Sequence, residues 1–126
     1  MPRLLLLWHP HLMLRDALHD WLLHEFGDAV AVGVAADPVD LLEQARTRAP
    51  SAVLVDVDAL HGVGLTLLRS LQQLASPPPT VAMSVYQSDE VRQAAAEAGA
   101  RACVCLMQPD EGLRLALAPL LLGAAP

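Results

Sequence analysis

Five short runs of almost wholly apolar residues punctuate the chain: Leu4 to Trp8, Ala29 to Val34, Ala52 to Val55, Thr80 to Val85 and Ala102 to Leu106. Successive side chains of a strand point to opposite faces, so a run apolar at every position belongs to a strand covered on both sides. Between the runs lie helix-length segments with apolar residues three and four apart. Strands alternating with helices in this way predict a parallel sheet sandwiched between two helical layers. A length of 126 residues suits one such domain with a two-sided core, without disulfides or metal.

The connecting segments carry their own start and stop signals. His11 to Phe26 places Leu14, Leu18, Trp21 and Leu22 on one stripe, and Gly27-Asp28 ends it. Asp37-Pro38 is an N-cap followed by proline at the first helical position of a helix running to Arg48, which Pro50 closes. Gly64 to Leu74 carries Leu67, Leu68, Leu71 and Leu74, and the triproline Pro77 to Pro79 forbids its continuation. Ser88 or Asp89 caps a helix to Ala98, where Gly99 fits a left-handed end. The last helix is expected from Asp110 to about Leu122. Residues 1–122 thus read as one domain, and 123–126 as a tail or linker stub.

Composition removes several functional classes. Although 54% of residues are hydrophobic and mean hydropathy is +0.39, no apolar run approaches the roughly 18 residues that span a bilayer. His9-Pro10-His11 cuts Leu4 to Trp8 too short for a signal peptide. Formal charge is -6, and all eight basic residues are scattered arginines, so direct nucleic-acid binding is disfavoured. Cys103 and Cys105 would point to the same face of a strand, poor geometry for a mutual disulfide. Two free thiols in a reducing cytoplasm are expected.

In an open parallel sheet, chemistry collects beyond the carboxyl ends of the strands. Those ends carry His9-Pro10, Asp56, Ser84 and Leu106. Pro50-Ser-Ala-Val-Leu-Val-Asp56 resembles the third strand of the receiver domain of bacterial two-component response regulators, ending in the phosphoacceptor aspartate. Val81-Ala-Met-Ser84-Val85 resembles its fourth strand, whose Ser/Thr hydrogen-bonds the acyl phosphate. Ala98-Gly-Ala-Arg-Ala102 resembles the entry to strand five, and Gly64-Leu65 the glycine opening the third helix. The resemblance covers nearly the whole chain. It implies a flavodoxin-like (βα)5 three-layer sandwich, with a five-stranded parallel sheet in the order 2-1-3-4-5.

The departures from that pattern are specific. The acidic pair that holds magnesium falls on His9 and Pro10, or on Trp8 and His9 with a one-residue gap, and neither alignment supplies a carboxylate. The lysine after strand five is Leu106, the aromatic switch position is Cys103, and the proline after the acceptor gives way to Ala59-Leu60. Magnesium requires an octahedron of hard oxygen donors, so its binding is expected to be weak or absent. Phosphoryl transfer depends on cations that neutralise developing charge, so little phosphorylation is expected. Asp56 is therefore read as a vestigial acceptor, hydrogen-bonded to Ser84 or exposed at the crevice. His9, Asp56 and Asp58 would offer a transition metal imidazole and carboxylates, but a strand-end histidine satisfied by water or backbone is the preferred reading.

The resemblance implies a noncatalytic signalling module that acts by protein contact, as the input half of a transcriptional regulator or a stand-alone adaptor. One alternative is a receiver phosphorylated on Asp56 by a histidine kinase. Another is a phosphatase-like enzyme using Asp56 and Asp58, whose spacing resembles the paired aspartates of haloacid-dehalogenase-like phosphatases. The last helix, with Leu113, Leu117, Leu120 and Leu121, leaves hardly any polar face. Receiver domains commonly pair through their fourth and fifth helices and fifth strand, so these leucines are expected at a homodimer or partner interface. A pairing through the first and fifth helices would add Trp21 as an anchor.

Overall fold

The computed structural model describes residues 2–86, 88–107 and 111–123, with Leu60 by its backbone alone. Five strands, β1 (Arg3–Trp8), β2 (Val30–Val34), β3 (Ala52–Asp56), β4 (Thr80–Ser84) and β5 (Ala102–Cys105), form one parallel sheet in the order β2-β1-β3-β4-β5. Five helices connect and follow them: α1 (Leu12–Phe26), α2 (Pro38–Arg48), α3 (Val63–Gln72), α4 (Asp89–Glu97) and α5 (Glu111–Leu121). This is the parallel sheet between two helical layers expected from the alternation, in the flavodoxin-like order that the resemblance implied. Asp110, the expected first residue of the last helix, lies outside the described residues, as do 124–126.

Side-chain alternation divides the interior into two cores. Leu5, Leu7, Ala52, Leu54, Val81 and Met83 face α1 and α5, whereas Leu6, Trp8, Val53, Val55 and Ala82 face α2, α3 and α4. Both sets are buried, which is why the central strands β1, β3 and β4 are apolar on both faces, whereas the edge strands β2 and β5 are only partly covered despite their apolar runs. Among the described residues no helix is long and apolar enough to cross a membrane.

Capping follows the local chemistry. The Asp37 carboxylate accepts from the Asp40 amide at 2.7 Å, and Asp40 reaches back to the Ala36 amide at 2.9 Å. Ser88 accepts from the Val91 amide at 3.3 Å. Gly99, at φ +105°, follows the end of α4, and a Cβ there would lie 2.3 Å from Gln72. Two 3-10 turns, Gly27–Ala29 and Leu60–Gly62, were not signalled by periodicity. The end of α5 is met by the first strand: the Arg3 guanidinium donates to the Leu120 carbonyl at 3.0 Å.

The last helix corrects one expectation. Leu113, Leu117, Leu120 and Leu121 are buried against β1, β3, β4 and β5 and cannot form an interface without unfolding the domain. Their spacing is the core-facing stripe of a helix docked on a sheet. The exposed apolar positions are Leu115, Pro119 and Leu122 instead, one stripe spaced i, i+4, i+7. Trp21 is half-buried, packing edge-on against Phe26 with ring centroids 6.3 Å apart. Leu14, expected on the buried stripe of α1, is exposed beside the crevice.

Candidate functional site

Sheet register assembles the residues at the carboxyl edge. Trp8 pairs with Val55, so His9 and Asp56 leave neighbouring strands at the same level. Asp56 pairs with Met83 and Ser84 with Cys105, which brings Ser84 and then Leu106 to the same edge. The first strand lies between β2 and β3, where the connections change direction, the place at which open α/β sheets form a crevice. That crevice has a volume of about 220 Å³, and its lining includes His9, Pro10, Asp56, Asp58, Val85 and Tyr86.

The floor of the crevice is an unusual pair. His9 and Asp56 are both buried, and His9 Nε2 stands 3.5 Å from Asp56 Oδ1. The His11 amide donates to His9 Nδ1 at 3.0 Å, which makes Nδ1 the acceptor and leaves the proton of a neutral ring on Nε2. That proton faces Asp56 at a separation too long for a good hydrogen bond, and among the described residues Nε2 has no other partner. Burial lowers the His9 pKa, with His11 adding repulsion and Asp58 partly opposing it. Burial pushes Asp56 up to about 6, with the Asp58 carboxylate adding to the rise and the amides of Asp58 and Ala59 offsetting part of it. The expected backbone partner for His9 is present at Nδ1 alone, and Nε2 is left unsatisfied among the described residues.

Asp56 itself is neither bonded to Ser84 nor exposed, which corrects both forms of that expectation. Asp56 lies buried at the crevice floor, and the Ser84 hydroxyl donates to Asp58 Oδ1 at 2.7 Å instead. The Val85 amide donates to the other oxygen, Asp58 Oδ2, also at 2.7 Å. Ser84 Oγ in turn accepts from the Tyr86 amide at 2.9 Å, the local backbone bond expected of a strand-end hydroxyl. The role of Asp58 was missed from the sequence. The signal was present as an acid two residues beyond a strand-end acid, but its partner is settled by the β3–β4 register.

Of the remaining positions, Leu106 and Cys103 lie away from the crevice. Leu106 packs against the α1/α5 core, while its amide donates to the Ser84 carbonyl at 2.7 Å. Half-buried Cys103 packs on the opposite face of the sheet, and burial raises its thiol pKa, with Asp58 contributing. Both cysteines are free thiols. Pro10 is exposed at the rim. Among the described residues no three His, Cys, Asp or Glu side chains converge as a metal site.

Comparison with known proteins gives one family match, the response regulator receiver domain, over residues 10–115. Solved structures share the fold. A two-component response regulator of the LuxR family from Aurantimonas sp. SI85-9A1 superposes with a TM-score of 0.83 at 22% identity, covering 98% of this chain and 87% of that one. A two-component response regulator from Clostridium difficile gives 0.81 at 14% identity, covering 98% and 99%. The receiver domain of the sensor histidine kinase PA1611 from Pseudomonas aeruginosa PAO1, which carries a magnesium ion in its active-site cleft, gives 0.79 at 16% identity, covering 96% and 98%.

Proposed function

The chain belongs to the response regulator receiver domain family, and on that premise we propose that it transmits signals through protein contacts without magnesium-dependent phosphorylation of Asp56. The observation that carries this reading is the crevice floor. Where the family has an acidic pair, a buried neutral histidine faces Asp56 at 3.5 Å. Magnesium requires an octahedron of oxygen donors, and here Asp58 already spends both carboxylate oxygens on Ser84 and Val85. Those residues fit the ion poorly. No lysine exists in the chain to balance charge on a transferring phosphoryl group.

In this reading residues 1–122 form a cytoplasmic, noncatalytic regulatory unit, the input half of a transcriptional regulator or an adaptor. Regulation comes from a partner that binds one conformation better than another. Contact with a second copy or another protein would use the outward stripe of Leu115, Pro119 and Leu122. Two-dimensional NMR of the protein with magnesium and then beryllofluoride tests the central point. No saturable change is expected at Asp56, Ser84 or Val85, and a saturable one there would refute the reading.

A further inference from the structure

We propose that Asp58 is a tethered anion, whose carboxylate fills the station formed by the Ser84 hydroxyl and the Val85 amide and so holds Ser84 to Tyr86 in one arrangement. The inference rests on the family reading of Ser84 as the phosphate-contacting position and gives that position a resident occupant. Both oxygens of one carboxylate are engaged at 2.7 Å, and the Tyr86 amide joins through Ser84 Oγ at 2.9 Å. Charge-assisted bonds of this length are the strong kind. Two of the three donors are backbone amides, which cannot turn away to another partner without moving the chain.

The contact ties together loops that are 26 and 27 residues apart in sequence. Because the carboxylate is attached to the end of β3, it competes at an effective concentration that a free anion does not reach. A second anion would also meet the negative charge of Asp58 and, above its pKa of about 6, that of Asp56. From the other side, the Leu106 amide holds the Ser84 carbonyl and Cys105 Sγ lies 3.8 Å from the Val85 carbonyl. Ser84 to Tyr86, at the end of β4, are thereby pinned between β3 and β5. Their arrangement is set by the fold instead of by a transferred group.

The test compares the parent with Asp58→Ala, Asp58→Asn and Ser84→Ala by NMR and amide hydrogen exchange, without metal or phosphodonor. In Asp58→Ala, exchange at Val85 and Tyr86 should rise by about tenfold or more, since a bond to a charged group is lost, while Val53 and Leu54 keep their protection. Asp58→Asn should fall between. Should Asp58→Ala fail to fold, Ser84→Ala supplies the readout: Tyr86 loses protection while Val85, still bonded to Asp58, retains it. Unchanged exchange at Val85 and Tyr86 in Asp58→Ala, or at Tyr86 in Ser84→Ala, overturns the proposal. Beryllofluoride uptake by the parent would refute phosphorylation independence, whereas these results bear on the Asp58 contact alone.

Discussion

At the scale of single residues, the buried His9 and Asp56 titrate against each other in their effect on stability. Asp56 binds its proton more tightly folded, at about 6, than at its ordinary 3.8, so its contribution is complete below 3.8 and is lost as pH rises through 6. That difference corresponds to about 3 kcal/mol, at about 1.4 per unit. His9 has the opposite sign: its lowered pKa favours the neutral ring, so its contribution grows as pH rises toward 6.5. Asp56→Asn removes the first effect and leaves the second. Its urea midpoint should climb between pH 5 and 7 and exceed that of the parent at pH 7, and identical pH profiles would contradict this. A tighter constraint lies at Gly64, where a Cβ would stand 1.9 Å from the Asp56 carbonyl oxygen and 2.8 Å from Val57 Cα. Both are backbone atoms, so Gly64→Ala must move α3 off β3, at a cost of about 1–3 kcal/mol or more in a urea titration. The glycine was legible in the sequence as a family feature, but the reason for it, close approach at an ordinary φ, was not.

At the scale of elements, α5 shows where sequence reasoning stops. The caps of α2 and α4 were readable because Asp37, Ser88 and Gly99 act on backbone a few residues away. A helix with leucine at 113, 115, 117, 120, 121 and 122 carries too little polar contrast to mark which side meets the sheet. Packing decides it, burying Leu117 completely and leaving Leu115 67% exposed. These neighbours should therefore respond in opposite ways to the same change. Leu117→Glu places a charge in the core and is expected to abolish cooperative thermal unfolding. Leu115→Glu should keep the parent melting temperature within a few degrees. If this face pairs copies, it should also lower the mass measured by sedimentation. Equal melting losses in both variants would contradict the assigned orientation.

At the scale of the whole molecule, the two-sided core was legible because buried parallel strands leave a strong mark, short apolar runs, whereas the sheet order was legible only through the resemblance to receiver domains. The crevice chemistry was legible only in part. Strand ends located His9, Asp56 and Ser84, but which acid meets Ser84 depends on the register between β3 and β4 and on the loop beyond, neither of which a single strand encodes. Each core depends on helices supplied late in the chain. A version stopped at residue 110 would uncover Leu5, Leu7, Leu54 and Met83. It should bind a hydrophobic dye and lose near-ultraviolet circular dichroism, and retention of a native spectrum would contradict the division of the cores.

The bond from Arg3 to the Leu120 carbonyl bears on wiring. It gathers the start of the first strand and the end of the last helix at the sheet's amino edge, the opposite pole from the crevice. Strand β1, with 6 residues, separates the poles by roughly 17 Å at about 3.3 Å per step. The start of β1 and the end of α5 thus lie at the pole away from Asp56 and Asp58. Continuous packing of helices on the sheet joins the two poles, so the fold offers a mechanical linkage between them.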